Sequence, residues 1–71
     1  MNVNTEVFTQ WFNLKVRLTD GQSSIDDLID SFKSTTGTPI SRAEMETLLT
    51  RLYGIDVQNQ VVIGVRLKNV S

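Results

Sequence analysis

The chain has 71 residues with neither cysteine nor histidine, which excludes disulfide bridges and ordinary zinc sites and leaves room for a single domain. Seven Lys and Arg against eight Asp and Glu give a formal net charge of −1, unlike the strongly basic chains of dedicated nucleic-acid binders. Any nucleic-acid binding therefore has to come from a local basic face or from neighbouring domains. No apolar run approaches the ~20 residues that span a bilayer and no signal peptide is apparent, so we expect an intracellular protein that does not bind membranes.

The first segment predicts a helix that ends near Asn13, with Asn4 or Thr5 as its N-cap. Its bulky apolar stripe follows the helical period: Val7, Phe8, Trp11 and Phe12. Large aromatic residues are mostly buried in folded proteins, so we interpret the stripe as part of the core. The alternative is an aromatic platform on which bases stack, but such platforms usually come with interleaved basic residues.

The hydrophobic period changes after this helix. Lys15 and Arg17 alternate with apolar residues, which predicts a short strand around residues 16–18. The dipeptide Asp20-Gly21 then predicts a turn.

A second helix is predicted to begin at Ser23 or Ser24, each followed three residues later by an aspartate in a variant of the capping box. Its apolar face is Ile25, Leu28, Ile29 and Phe32. Asp26, Asp27 and Asp30 lie away from this face, and three carboxylates on one helix suggest a metal or acid–base site. Carboxylates in the first turns also interact favourably with the helix dipole, and no calcium-loop spacing accompanies them. We therefore interpret them as a solvated face and expect neither a metal nor a cofactor.

The third helix is predicted over residues 42–53. Gly37 ends the second helix, Ser41 and Glu44 form a capping box, and Gly54 ends the third helix. The predicted buried stripe is Met45, Leu48, Leu49 and Leu52. The opposite face carries Ala43, Thr47 and Thr50, flanked by Arg42, Glu46 and Arg51. Such a face fits a DNA groove, because small and polar residues are flanked by arginines. It fits an ordinary solvated surface equally well, because the glutamates of this helix repel phosphate.

Residues 55–68 predict a β-hairpin. Its turn is formed by Gln58, Asn59 and Gln60. The strand residues expected to face the core are Val61, Ile63, Val65 and Leu67. Arg66 and Lys68 then share the other face, and Gly64 in mid-strand predicts a bulge or the close approach of another backbone.

The elements follow the order helix, strand, helix, helix, strand, strand, which is the order of a winged helix with its helix-turn-helix. We therefore predict an α+β fold with three helices and a small antiparallel sheet. We expect residues 1–71 to be a single winged-helix domain that is a module of a larger protein. No histidine is present to activate a nucleophile and no glycine-rich phosphate loop follows a strand, so we predict neither an enzyme nor a small-molecule substrate.

Four segments in combination resemble the RFX-type winged helix: FTQWF at 8–12, the helix at 25–32, the helix that follows Ser41, and IGVRLK at 63–68. The C-terminal winged helix of poxvirus-like helicase-primases has the same layout. RFX-type domains also occur in chromatin-remodelling subunits that carry an AT-rich interaction domain. The resemblance implies a module of a replication, transcription or chromatin protein that is nuclear or virus-associated.

The wing departs from the pattern of this family. RFX-type transcription factors carry a longer wing, rich in arginine and lysine, which reads DNA, whereas residues 56–60 form a short turn without positive charge. Val62 and Ile63 stand where aromatic residues usually precede the glycine. Of the family's basic positions, only Arg66 and Lys68 carry over. The RFX-like fold is therefore better supported than RFX-like DNA recognition.

The first functional hypothesis is a module that binds double-stranded DNA through helix 42–53 and the 55–68 hairpin. The helix contacts would be Arg42, Thr47, Thr50 and Arg51. The phosphate contacts would be Lys15, Arg17, Arg66 and Lys68, with the wing tip at Gln58, Asn59 and Gln60. With so few cations the isolated domain would bind weakly and electrostatically, with a nonspecific Kd of ~10⁻⁴ to 10⁻⁶ M.

The alternative hypothesis is a winged helix that binds another protein, or neighbouring domains of the same chain, and no nucleic acid. The acidic second helix, the uncharged wing and the near-neutral net charge favour it. Its expected sign is an exposed apolar patch around Val62 or Tyr53.

Overall fold

A computed structural model describes residues 4–68, which form three helices and three strands in the predicted order. The helices are α1 (Thr5–Lys15), α2 (Ile25–Thr36) and α3 (Arg42–Tyr53), and the strands are β1 (Val16–Ser24), β2 (Val57–Gln58) and β3 (Val61–Leu67). The strands form one antiparallel sheet in the order β1-β3-β2, so β3 is central. This α+β arrangement has a winged-helix-like topology, which confirms the predicted fold class. No helix between residues 4 and 68 is long and apolar enough to cross a membrane.

The helix ends lie close to the positions that the sequence predicts. The side chains of Asn4, Ser24 and Ser41 each accept a hydrogen bond from a backbone N–H in the first turn of α1, α2 and α3, respectively. Gly37 and Gly54 end α2 and α3 in the left-handed conformation, with φ of 71° and 64°, which residues with a Cβ rarely adopt. Short-range capping therefore marks the starts of all three helices and the ends of α2 and α3.

The core lies between the three helices and one face of the sheet. It contains Phe8, Trp11, Phe12, Val16, Ile25, Leu28, Phe32, Ile40, Met45, Leu49, Ile55, Val62 and Val65. The rings of Phe8, Trp11 and Phe32 pack at centroid distances of 5.4–5.8 Å, and Trp11 is only 1% exposed. The Trp11 indole N–H donates to Ser31 Oγ at 3.1 Å, so its polar atom is satisfied within the α1–α2 contact. The aromatic stripe of α1 is therefore core, as predicted, and does not form an exposed stacking platform.

The boundaries of α1 and β1 differ from the prediction. Helix α1 continues to Lys15 instead of ending near Asn13, and β1 continues to Ser24 instead of stopping at Leu18. Asp20-Gly21 is therefore not the turn that ends the strand. The register of β1 against β3 shifts between Leu18 and Gln22, so the dipeptide lies in a bulge and the strand pairs with β3 on both sides of it.

The second-helix prediction is correct for one of its two candidate caps. Ser24 caps α2, whereas Ser23 lies in β1 and its hydroxyl donates to the Val65 carbonyl at 3.1 Å. The cross-strand bond gives the Ser23 side chain a role in the sheet.

The predicted alternation of β3 is wrong before Gly64. Val62 and Val65 are fully buried, whereas Ile63 is 40% exposed and Val61 is only partly buried. Gly64 has a φ of +86° and lies opposite the bulge in β1, and the side-chain phase of β3 shifts by one residue at this position. Val62 itself is consequently buried, and its neighbour Ile63 is the exposed apolar residue at this place.

The buried stripe of α3 is narrower than predicted. Met45 and Leu49 are fully buried, Leu48 is partly buried, and Leu52 is 42% exposed. In the last turn of α3 it is Tyr53 that packs inward, because its ring stacks on Phe12 at a centroid distance of 3.8 Å. Tyr53 is therefore half-buried, beside the exposed Leu52.

The core assignment predicts unequal effects of two alanine substitutions. Phe32→Ala should lower the free energy of unfolding by about 3–5 kcal/mol, because it removes a fully buried ring from the aromatic cluster. Leu52→Ala, the control on the exposed end of α3, should lower it by less than about 1 kcal/mol. Urea unfolding of both variants measures the difference, and equal losses would show that the core is assigned wrongly.

Candidate nucleic-acid interface

The four predicted phosphate contacts lie together at one end of the sheet, where β1 begins and β3 ends. We call them the sheet-end cations: Lys15, Arg17, Arg66 and Lys68. Arg17 pairs directly with Arg66 across the two strands, and the Lys68 backbone N–H donates to the Lys15 carbonyl at 2.7 Å. The chain has seven Lys and Arg in total, so more than half of its positive side chains arise from this one region.

Arg17 and Arg66 are both exposed and lie on the outward face of the sheet. Their neighbours Val16 and Leu67, which pair with each other, face the core. Residues directly opposite in an antiparallel pair have Cβ atoms about 4.5–5.5 Å apart, and like charges in this arrangement are destabilising. Within residues 4–68 neither guanidinium makes a hydrogen bond or an ion pair with a carboxylate. The pair is therefore an unneutralised concentration of positive charge.

Lys68 also has a structural role that the sequence did not predict. Its Nζ donates to the Asn13 carbonyl at 2.8 Å, in the last turn of α1. A cation at this place interacts favourably with the negative end of the helix dipole and satisfies a terminal carbonyl. The two residues are 55 positions apart, so no local sequence signal could have indicated the contact.

The outer face of α3 carries the four predicted helix contacts, but two of them already have partners. Arg42 Nη2 lies 3.0 Å from Asp26 Oδ1 of α2, in an exposed ion pair of a kind that contributes about 0–1 kcal/mol. The Thr50 hydroxyl donates to the Ile55 carbonyl at 3.2 Å and so supports the connection to β2. Thr47 and Arg51 remain exposed beside a shallow depression that Glu46 also lines. The α3 face thus offers less uncompensated positive charge than the sheet end.

The predicted wing tip is a tight two-residue turn. Asn59 and Gln60 adopt positive φ values of 48° and 70°, and Gln58 is the last residue of β2. The Gln60 carbonyl accepts a hydrogen bond from the Ile25 backbone N–H at 2.9 Å, which holds the turn at the start of α2. The first turn of α2 carries Asp26 and Asp27. All three turn side chains are exposed, but the charges of the adjoining helix turn repel phosphate.

The predicted contacts therefore divide between three places. The sheet-end cations form one group, the α3 face forms a second, and the hairpin turn forms a third. Gln60 and Arg66 are six residues apart along an extended strand, which corresponds to roughly 20 Å. The structure brings together four predicted residues from distant parts of the chain, but it does not bring the hairpin turn to them.

The three aspartates of α2 are exposed. No group of three or more His, Cys, Asp or Glu side chains between residues 4 and 68 could hold a metal ion.

Comparison of the chain with models of protein families, with characterised proteins and with solved structures found no significant match. The fold and the distribution of charge are therefore the basis on which a function can be proposed.

Because Arg17 and Arg66 face each other, we expect reversal of the charge at position 17 to increase stability. Arg17→Glu places a carboxylate opposite Arg66, so its free energy of unfolding should exceed that of Arg17→Gln by about 0.2–1 kcal/mol at low salt. Urea unfolding measures the free energies of unfolding of the wild type and both variants. We expect Arg17→Glu to be the most stable, Arg17→Gln the next and the wild type the least stable.

The control for this prediction is the same substitution in an Arg66→Gln background, where Arg17→Glu should no longer stabilise relative to Arg17→Gln. A gain of equal size in both backgrounds would show that the two positions do not interact.

Proposed function

We propose that this chain is a DNA-binding module that contacts the phosphate backbone of a duplex through the sheet-end cations. The observation that supports this most directly is the pairing of Arg17 with Arg66 on an exposed strand face, where neither forms an ion pair with a carboxylate of residues 4–68. Exposed Thr47 and Arg51 on α3 are secondary contacts. We also propose that the domain is RFX-like and is a module of a nuclear or viral replication, transcription or chromatin protein.

Charge distribution gives this proposal its physical basis. Neutralising phosphates releases condensed counterions, and this term supplies most of the affinity of nonspecific DNA binding. The net charge of −1 opposes binding by the molecule as a whole, so a local cation group has to provide the attraction. The aspartates of α2 lie at the opposite end of the sheet, near the hairpin turn, and their repulsion orients the sheet-end cations towards the duplex.

The affinity expected from so few contacts is low. Three or four neutralised phosphates correspond to a slope of about −3 to −4 in a plot of log K against log salt concentration. Binding of this strength has a Kd of ~10⁻⁴ to 10⁻⁶ M and carries little sequence preference, because phosphate contacts do not read bases.

The experiment is an NMR titration of the isotopically labelled domain with a generic duplex at about 50 mM and about 200 mM salt. We expect shift changes centred on residues 15–17 and 66–68, together with a large loss of affinity at the higher salt. Arg17→Gln combined with Arg66→Gln should abolish these changes. Lys33→Gln on α2 is the control for the loss of a cation outside the sheet end. No shift at millimolar duplex, or equal effects of both kinds of variant, would overturn the proposal.

Protein binding is the second candidate function. The observation that favours it is the exposure of Leu14 and Leu18, which are 61% and 67% exposed on either side of Lys15 and Arg17. DNA binding through the cations predicts that Leu14→Ser and Leu18→Ser leave duplex affinity unchanged. A duplex titration without any response would favour the protein-binding candidate instead.

A further inference from the structure

The Arg66 side chain lies across β1 at Gly21. A Cβ atom at Gly21 would lie 2.6 Å from Cδ, 2.9 Å from Cγ and 3.1 Å from Nε of Arg66. The first two distances are shorter than any ordinary non-bonded contact. Gly21 is not among the described glycines with positive φ, so its backbone does not require glycine. The requirement comes from the space that the arginine stem occupies.

The bulge in β1 places this glycine under Arg66. Regular pairing stops at Leu18 and resumes at Gln22, and the residues between them lie opposite Gly64. Gly64 has positive φ, and a Cβ there would meet the Thr19 carbonyl at an ordinary distance of 3.8 Å. Bulges of this kind occur where a strand redirects a side chain, often beside functional sites.

Arg66 thus extends in a direction that the absence of a side chain at position 21 leaves open. Its Cα lies opposite Arg17, but its stem passes over Gly21, four residues further along β1. The stem therefore extends towards the bulge. Within the described part of the chain neither the Arg17 nor the Arg66 guanidinium donates a hydrogen bond to a protein acceptor, so the donors of both remain available to a ligand.

We propose that Arg17 and Arg66 bind neighbouring phosphates of one nucleic-acid strand, and that Gly21 is the positioning residue whose missing side chain lets Arg66 adopt its phosphate-binding direction. This inference rests on the proposed DNA binding and specifies the group that is recognised. Guanidinium binds phosphate in a bidentate manner, so the direction of the arginine stem affects the strength of the contact. An alanine at position 21 displaces a flexible side chain and leaves the backbone unstrained.

A purely structural role for Gly21 makes the opposite prediction. If the stem of Arg66 only covers the sheet, Gly21→Ala changes stability and leaves DNA affinity unchanged. If Gly21 positions Arg66, the variant unfolds at nearly the same urea concentration as the wild type and binds DNA more weakly. The NMR signal of Arg66 Nε–Hε should also move in the free variant, because the displaced side chain occupies a new environment.

The test is a double-mutant cycle measured by duplex titration at about 50 mM salt. Arg66→Gln should weaken binding by about tenfold and reduce the salt slope by about 1. Gly21→Ala should weaken binding severalfold in the wild type and have no effect in the Arg66→Gln background. An equal loss in both backgrounds, or no loss in the wild type, would overturn the role of Gly21.

A second probe separates this inference from the proposed function. Inorganic pyrophosphate carries two linked phosphates without sugar or base, and it should shift the Nε–Hε signals of Arg17 and Arg66 at millimolar concentration. Gly21→Ala should reduce that response. If the wild type binds pyrophosphate in this way but binds no duplex, the phosphate site stands and the DNA-binding function fails. If it binds a duplex while pyrophosphate has no effect on either arginine, the function stands and the arginine site is wrong.

Discussion

Pairing between β1 and β3 is the constraint on which the rest of the molecule depends. It joins two segments from opposite ends of the chain, with one end of the ladder at the C-terminus of α1 and the other at the N-terminus of α2. Fully buried Val62 and Val65 hold the central strand against the helices. The same ladder sets Arg17 opposite Arg66, so the pairing that completes the core also concentrates positive charge on the outer face.

Local signals in the sequence predicted the number, type and order of the elements. Capping by Asn4, Ser24 and Ser41 acts over two or three residues, and a left-handed glycine ends a helix through bonds within its last turn. Such interactions can be identified in a short stretch of sequence. The α1 aromatic residues were likewise predictable as core, because a bulky stripe with helical spacing has to be buried in so small a domain.

Features that depend on distant partners were not predictable in the same way. Asp20-Gly21 has the composition of a turn, yet pairing with β3 continues the strand beyond it. The phase shift at Gly64 moved Ile63 to the surface, because a bulge changes which face every earlier residue occupies. For the candidate site, residue type alone indicated the cations. Their grouping required the strand register, and the use of Lys68 at the end of α1 required the tertiary fold.

Under the proposed function, the sheet end retains an electrostatic repulsion because the same charges would bind phosphate. The most direct test compares thermal unfolding of the wild type and Arg17→Glu at low salt, with and without duplex DNA. A ligand that binds only the native state stabilises it by RT ln(1 + [L]/Kd). We predict that Arg17→Glu melts at the higher temperature without DNA and that the wild type melts at the higher temperature when DNA is in excess. The same order under both conditions would contradict the account.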